Sequence, residues 1–552
     1  MVDNPFALRR WWTNWAYPLT GSDYIYPYTI GHNIENNSVT ISNHKMSGAT
    51  NMHITPSCGN VPSLSQTYTG CCPRRYIVAF MSFLGFANVY TLRANLSVAI
   101  IAMTNNHTRT FGNKTVVFPP EFNWNIETQG IVLSAFFWGY IATQLPGGYI
   151  AVKFGGKKLL GTGVAVTALL TILTPFLARK NFYFLIAARI VEGIFEGVSY
   201  PATHGLWSRW APPAERSRLV SISFSGSYFG TVIVMPLSGL LSEYFGWPSI
   251  FYTYGFAALV WCLIWFAFIS EAPNEDPFIS NLELNYIEDS IGSQGYKEGS
   301  MPWKSILSSA PVWAIVAAHY TENWGFYTML TELPSYMEDR FNFSLKDATV
   351  LEALPYLVAG VTVQIGGFVA DWLRGTGLMT TTTVRKAFIV WGFLGQACFL
   401  TSAAHSDNPI SFITKISCGV ACAKIAWTGI GVNHLDIAPP YAGVLMGISN
   451  TIGTLAGIIT PSLSGYLVHS DHSIMGWRRV FYISAGTHVV GAFIYYCLGS
   501  GRIQSWAMQE PCIEDDDDEN DNGSTRLQVP YLEDDYGEND NDSTRLIQSV
   551  IR

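Results

Sequence analysis

The most constraining feature of this sequence is a series of apolar stretches through its middle, each long enough to cross a lipid bilayer. A helix needs about 20 predominantly apolar residues to span the hydrocarbon core. Such stretches lie near residues 76–103, 127–152, 158–178, 182–204, 219–242, 249–269, 312–336, 349–371, 386–404, 410–432, 442–467 and 480–499. Only 13% of the 552 residues are charged, against roughly 25% in an ordinary soluble protein. The sequence therefore predicts an all-α membrane protein with about twelve transmembrane helices, embedded in the lipid bilayer.

The last six stretches are similar in sequence to the first six, and a hydrophilic segment near 270–310 separates the two sets. The segment Gln144-Leu-Pro-Gly-Gly-Tyr-Ile-Ala-Val152 after the second stretch is similar to Gln364-Ile-Gly-Gly-Phe-Val-Ala-Asp371 after the eighth. Parallel repeats of this kind are typical of transporters whose substrate site lies near the bilayer midplane, between two halves that rock. The chain is therefore predicted to form two six-helix halves around a central site.

Basic residues indicate which side of the membrane each loop faces. They gather in alternate short loops, which the positive-inside rule places in the cytosol together with both termini. These residues are Lys153, Lys157, Lys158, Arg209, Arg216, Arg218, Arg374, Arg385 and Lys386. The loop near 104–126 then faces the lumen or the extracellular space, and its sequons at Asn106 and Asn113 predict glycosylation there.

The two ends of the chain differ from the apolar middle in composition. The predicted domains are a disordered cytosolic N-terminal arm (1–72), an N-terminal six-helix half (73–269), a cytosolic central loop (270–311), a C-terminal six-helix half (312–500) and an acidic disordered cytosolic tail (501–552). Many of the acidic residues that give the chain its net charge of −8 lie in the tail, and no nucleic-acid partner is predicted. Asp542, Leu546 and Ile547 fit an acidic dileucine motif read by sorting adaptors, which favours a lysosomal or vesicular membrane over the plasma membrane.

Several short motifs between residue 71 and about residue 509 carry a family resemblance. They are Leu92-Arg93-Ala-Asn95-Leu-Ser-Val98, Gly139-Tyr140-Ile-Ala-Thr-Gln144-Leu-Pro-Gly-Gly148, Arg189-Ile-Val-Glu192-Gly193-Ile-Phe-Glu196-Gly197, Trp210-Ala-Pro-Pro213 and Asn433-His-Leu-Asp-Ile-Ala-Pro439. Together they resemble the solute-carrier anion transporters of the major facilitator superfamily, which include sialin, the vesicular glutamate transporters and the type I phosphate transporters. The resemblance implies transport of organic anions, driven by protons, membrane potential or sodium.

Within this family the chain looks most similar to the sialin members, which implies symport of protons with sialic acid or other acidic sugars. Vesicular glutamate transporters carry a histidine where this chain has Leu133 and an arginine where it has Glu322. Sodium-coupled carriage of inorganic phosphate and potential-driven transport of glutamate or aspartate stay open as alternatives. A passive anion channel or facilitator is the alternative from another class.

Four charged residues lie inside predicted spans of the N-terminal half, where a charge costs roughly 2.5–3.5 kcal/mol and usually serves function. Arg189, Glu192 and Glu196 share one helical face because three and then four residues separate them. Two close carboxylates in a low-dielectric cavity do not both ionise easily, so Glu192 and Glu196 are the predicted proton-coupling pair, with a purely structural stripe of salt bridges as the alternative. Arg93, with its planar guanidinium, is predicted to bind a substrate carboxylate, with a structural ion pair as the alternative. Arg189 looks like the family's anion-binding arginine.

Other polar residues of the predicted spans complete this site. Tyr140 and Tyr327 are predicted hydrogen-bond donors to the substrate, although a tyrosine in a span more often satisfies its hydroxyl locally. Glu322 and Lys424 are predicted to face each other across the C-terminal half and to help gate it.

Residues near the cytosolic helix ends are predicted to help the halves open and close. Asp371 and Arg374 complete a loop signature of the major facilitator fold, whereas Val152 interrupts its first-half copy. His434 titrates in a range suited to proton coupling, with a capping or loop contact as the alternative. The sequence shows no metal cluster, cofactor motif or nucleophile with its base, so no enzyme is predicted.

Overall fold

The computed structural model of this chain describes residues 72–104, 107–111, 114–291, 301–341, 345–469 and 474–508. The sequons at Asn106 and Asn113 lie outside the described residues. So do the predicted sorting residues Asp542, Leu546 and Ile547, with most of the arm and tail that were predicted to be disordered.

Fifteen α-helices account for most of the described residues. They are α1 (Arg74–Thr104), α2 (Ile126–Phe154), α3 (Gly156–Lys180), α4 (Phe182–Glu196), α5 (Ser199–Trp210), α6 (Arg216–Phe245), α7 (Pro248–Phe268), α8 (Asn281–Ile291), α9 (Trp303–Ser308), α10 (Ala310–Phe341), α11 (Leu345–Gly375), α12 (Thr381–Ala403), α13 (Pro409–Ile437), α14 (Ala442–His469) and α15 (Ile474–Leu498). Two short antiparallel strands, β1 (His107–Phe111) and β2 (Lys114–Phe118), form a hairpin between α1 and α2 that the sequence reading did not foresee.

The long helices fall at the positions of the predicted spans, whereas α8 and α9 lie in the predicted central loop. Nine segments of the described residues are long and apolar enough to cross a membrane. The fourth predicted span is divided between α4 and α5, which are separately too short to be counted. Pro201 in the first turn of α5 has no N–H to continue the hydrogen bonding of α4, and the helix is interrupted at Gly197 and Val198.

Large apolar side chains cover much of the outer surface of the helical bundle. Leu263, Phe493 and Phe256 are 73%, 67% and 66% exposed. A soluble monomer rarely leaves many such side chains in water. Their exposure therefore fits a surface that lipid covers.

The helices of the described residues pack in two sets, which meet mainly along two helix pairs. Within the first set, α1 packs on α6, α2 on α4, and α3 on α7; within the second, α10 packs on α14 and α12 on α13. Between the sets, α2 packs on α14 and α6 packs on α11. We call the end with the loops after α2, α5 and α11 the basic end, and the opposite end, with β1 and β2, the hairpin end.

Close backbone contact fixes the position of α4 against α2. A Cβ atom at Gly139 would lie 2.0 Å from the carbonyl oxygen of Ile190, and one at Gly193 would lie 2.0 Å from that of Phe136. Only glycine permits this approach. The contact brings the charged face of α4 beside the aromatic residues of α2.

Candidate functional site

The N-terminal half holds an ion pair between α1 and α4. Arg93 of α1 donates from Nε to Oε1 of Glu196 at 2.6 Å, and its Nη2 lies 2.5 Å from the same oxygen. The Glu196 side chain is 1% exposed, whereas that of Arg93 is 14% exposed. Arg93 is therefore the more accessible member of the pair.

A second ion pair lies one turn earlier on α4. Nη1 of Arg189 lies 2.5 Å from Oε2 of Glu192, and Nη2 of Arg189 donates to the backbone carbonyl of Arg93 at 3.3 Å. The hydroxyl of Thr171 donates to the other Glu192 oxygen at 3.3 Å. Each glutamate of the predicted proton-coupling pair thus has its own arginine, which stabilises the ionised carboxylate.

Aromatic rings surround the Arg93 guanidinium. Its central carbon lies 4.8 Å, 5.1 Å and 4.5 Å from the ring centroids of Tyr90, Phe136 and Tyr140. These distances are in the range of cation–π interactions, which hold a guanidinium in place without neutralising it. These rings therefore hold the Arg93 guanidinium beside Glu196.

The two predicted tyrosines lie where the halves meet. The Tyr140 hydroxyl accepts a hydrogen bond from Nδ2 of Asn450 on α14, at 3.2 Å. Tyr327 of α10 packs edge to face on Phe137 of α2, with ring centroids 6.3 Å apart. Both side chains are buried. They are therefore placed to respond when the halves separate.

The predicted pair in the C-terminal half is in contact in the structure. Nζ of Lys424 donates to a carboxylate oxygen of Glu322, and both side chains are 4% exposed. Nζ also lies 4.9 Å from the ring centroid of Tyr228, which belongs to the other half, and 5.2 Å from that of Phe326. Whether this pair acts as a gate stays a prediction.

At the basic end, residues of the C-terminal half bind the start of α6. The Asp371 carboxylate accepts the backbone N–H groups of Ser217 and Arg218 at 3.1 Å and 2.7 Å. Nη1 of Arg374 donates to the carbonyl of Pro213 at 2.7 Å. A carboxylate at a helix N-terminus is stabilised by the free N–H groups and the helix dipole. Both residues of the predicted gate are thus engaged with the opposite half.

A buried ion pair that the sequence reading missed strengthens this contact. Arg385 donates from Nε to Asp436 at 2.7 Å, and its Nη1 donates to the Ser217 hydroxyl at 3.0 Å, across the two halves. Nη1 of Arg216 donates to the carbonyl of Leu435 at 3.0 Å. The sequence predicts that Arg385 lies in a loop on the cytosolic side, yet in the structure it is fully buried. Its position one residue before the predicted ninth span was the available signal.

His434 lies inside the protein, near the end of α13. Its Nε2 atom is 2.8 Å from the hydroxyl of Ser449 on α14, and the residue is fully buried. Two further histidines, His204 and His319, lie beside it. The sequence reading did not bring these three residues together, because they come from different helices.

Comparison with known proteins gives consistent matches over most of the chain. The model of the Major Facilitator Superfamily matches residues 76–384. Vesicular glutamate transporter 1 of Xenopus laevis is 44% identical over 444 residues, which cover 79% of this chain and 77% of that protein. Human sialin is 41% identical over 456 residues, which cover 80% of this chain and 92% of that protein.

Solved structures of the same superfamily confirm the predicted fold. The proton:xylose symporter XylE aligns with a TM-score of 0.59 over 78% of this chain and 96% of its own, at 15% identity. The E. coli fucose:proton symporter FucP aligns with a TM-score of 0.54 over 76% of this chain and 99% of its own, at 14% identity. At such low identity these matches establish the fold alone.

Proposed function

Since the chain belongs to the major facilitator superfamily and, within it, to the anion-transporter family of sialin and the vesicular glutamate transporters, we propose that it carries organic anions by proton-coupled symport. The proposed substrates are sialic acid or other acidic sugars. The members of this family are transporters and not enzymes.

The ion pair between Arg93 and Glu196 is the observation that carries this proposal. A substrate carboxylate that reaches the exposed edge of Arg93 can accept the two parallel hydrogen bonds that a guanidinium offers. It then displaces Glu196, which is left buried without its cation. A buried carboxylate without a partner takes up a proton, because desolvation disfavours its charged form. Anion binding and proton binding are in this way favoured together.

The surrounding residues have supporting roles in this mechanism. Arg189 and Glu192 supply a second exchangeable pair one turn away, with Arg189 as the second anion-binding group. Tyr140 and Tyr327 supply hydroxyls at the meeting surface of the halves. The contacts of Asp371 and Arg374 close the basic end, and the Glu322–Lys424 pair holds α10 against α13.

The vesicular glutamate transporters supply a second candidate function, because they are 42–44% identical to this chain, slightly more than human sialin. In that case the substrate is glutamate or aspartate, and the membrane potential drives transport. Glu322 places a negative charge in the C-terminal half, where the glutamate transporters are expected to carry an arginine. This difference argues against the glutamate proposal.

Uptake of radiolabelled sialic acid, glucuronate, glutamate and phosphate into cells with the protein at the surface tests the proposal. We expect sugar-acid uptake to be faster at outside pH 5.5 than at pH 7.5, and this stimulation to be lost in Glu196→Gln and Glu192→Gln. Glu243→Gln is the matched control, since Glu243 is exposed. Uptake that ignores pH, or that needs sodium and accepts only phosphate, would refute the proposal. Uptake of glutamate driven by potential alone would promote the second candidate.

The same relatives support a lysosomal or vesicular address. We place both termini in the cytosol, on the side of the basic end, and Asn106 and Asn113 on the lumenal side as glycosylated residues. Asp542, Leu546 and Ile547 are the proposed contact for sorting adaptors. Deletion of residues 542–547 should move the protein to the plasma membrane, as surface biotinylation would detect.

A further inference from the structure

A groove on the outer surface of the C-terminal half runs between α12 and α15. Small side chains line much of it: Ala397 and Cys398 belong to α12, and Ala485 and Gly486 belong to α15. A Cβ atom at Gly486 would have no neighbouring heavy atom within 4 Å. Cys398 and Gly486 are exposed, so the groove is open toward the surface that lipid covers. Its volume of about 720 Å³ is in the range of known ligand-binding clefts.

The length of the groove matches the depth of one bilayer leaflet. Leu394 lines the groove near the middle of α12, and His405 lines it just after that helix ends. His405 follows Leu394 by 11 residues, which is about 16 Å at the rise of a helix. The hydrocarbon core of a bilayer is about 30 Å thick, so one leaflet contributes about 15 Å. An acyl chain that begins at the hairpin end and stops at the midplane therefore fits the groove.

Two cations lie at the hairpin end of the groove, and neither has a carboxylate partner among the described residues. Nζ of Lys415 donates to the Ser402 carbonyl at 3.1 Å and to the Ser406 hydroxyl at 3.0 Å. An ammonium group has three N–H donors, so one stays available. Nε of Arg478 donates to the neutral carbonyl of Ala404 at 3.3 Å. This end of the groove is therefore positively charged.

The residues beside the two cations place them at the level of lipid headgroups. The Tyr482 hydroxyl of α15 lies 3.0 Å from Nε2 of His405, and both residues are exposed. Tyrosine is enriched at membrane–water interfaces, where its ring meets the apolar core and its hydroxyl meets water. Asp407 follows in the same loop, but it pairs with Arg340 at 2.8 Å. It therefore leaves the two cations of the groove uncompensated.

We propose that this groove binds a phospholipid with a net negative headgroup, from the leaflet on the side of the hairpin end. One acyl chain lies along the small residues between α12 and α15, and the phosphate accepts hydrogen bonds from Lys415 and Arg478. Basic pockets between transmembrane helices bind acidic lipid headgroups in this way. The two cations lie at the end where the positive-inside rule leaves few basic residues, so the orientation of the chain does not explain them. The proposal does not depend on which anion the protein transports.

Native mass spectrometry of the purified full chain in detergent tests this proposal. The protein is titrated with palmitoyl-oleoyl phosphatidylglycerol and, separately, with the phosphatidylcholine that has the same acyl chains. We expect the first phosphatidylglycerol to bind about thirtyfold more tightly, because each of two cations favours an anionic lipid about fivefold. Glycerol 3-phosphate, which has the phosphate without the acyl chains, should not reduce lipid binding at the same concentration.

A charge variant tests the headgroup part of the site. Lys415→Gln with Arg478→Gln should lower the affinity for phosphatidylglycerol about thirtyfold and leave the affinity for phosphatidylcholine nearly unchanged. Arg179→Gln with Lys180→Gln is the matched control, because it removes two cations at the hairpin end of the N-terminal half, at the end of α3. It should keep the preference for phosphatidylglycerol.

A second variant tests the acyl-chain part of the site. Gly486→Phe should fill the groove without a clash and weaken the binding of both lipids, because the space around this glycine is open. Gly239→Phe is its control, since Gly239 is also exposed with open space around it, on α6 of the other half. It should bind both lipids as the wild type does.

Each result supports or overturns the proposal. Equal affinity of the wild type for the two lipids would overturn it, and this measurement needs no variant. A charge variant that keeps the preference would show that the headgroup binds elsewhere, and unchanged binding in Gly486→Phe would show the same for the acyl chain. Displacement of the lipid by glycerol 3-phosphate would mean that the site takes free phosphate groups, and the assignment to a lipid would be wrong.

Discussion

Replacement of Lys424 by methionine should strongly destabilise the protein, because it leaves Glu322 buried without its partner. Both side chains are 4% exposed in the ion pair. Removal of one member of a buried pair costs about 3–5 kcal/mol, whereas replacement of both by neutral groups of similar size is often neutral. The cation–π contacts of Lys424 with Tyr228 and Phe326 add about 0.5–2 kcal/mol to the loss.

The free energy of unfolding can be measured for the purified protein in detergent, by SDS titration followed through tryptophan fluorescence. We expect Lys424→Met and Glu322→Gln each to lose several kcal/mol, and the double variant to lose about 1–2 kcal/mol, the cation–π contribution. Lys415→Met is the matched control on the same helix, because Lys415 donates only to the neutral oxygens of Ser402 and Ser406. Its cost should stay below about 1 kcal/mol.

The double variant tests whether Glu322 and Lys424 stabilise each other. If its loss equals the sum of the two single losses, the two residues do not stabilise each other and the reasoning from the buried pair is wrong. A transport assay of the same residues tests the gating hypothesis separately. If the charge-swapped variant Glu322→Lys/Lys424→Glu does not recover the transport lost in both single variants, the gating hypothesis is refuted.

Two further predictions concern the contact of the halves and the hairpin end. Gly148→Val should fold but lose most transport, because a Cβ atom at this position would lie 2.4 Å from the carbonyl oxygen of Gly443 and would keep the basic end from closing; Gly239→Ala, which has open space around it, should transport normally in the same uptake assay. Asn106→Gln with Asn113→Gln should abolish the mobility shift that an endoglycosidase produces on a gel, and a wild-type protein that shows no such shift would contradict the assigned lumenal side.

The sequence alone was sufficient to predict the positions of the spans and the charged face of α4. The length of each apolar stretch predicts a span, and the 3.6-residue period of a helix places Arg189, Glu192 and Glu196 on one face. Neither rule determines which neighbouring helix each side chain meets. Arg93 and Glu196 are 103 residues apart in the chain and meet only because α1 and α4 pack in the same half.

The histidine cluster shows the same limit more clearly. His204, His319 and His434 each lie in a separate span, and a lone histidine in a span gives no sign of its neighbours. Their meeting depends on how α5, α10 and α13 rotate about their axes when the halves close. The periodicity of a sequence predicts which residues share one face of a helix, but it does not predict the direction in which that face points.

The α6–α11 and α2–α14 contacts between the halves differ in kind at the basic end. This difference follows from one position of the repeat, which is Asp371 in the second half and Val152 in the first. Where the second half has Asp371, which binds two backbone N–H groups of α6, the first half has Val152. The sequence suggested that Val152 weakens the first-half contact. In the structure the backbones of Gly148 and Gly443 approach closely there instead. The α6–α11 contact therefore depends on the charge of Asp371 and should weaken in Asp371→Asn, whereas the α2–α14 contact depends on shape.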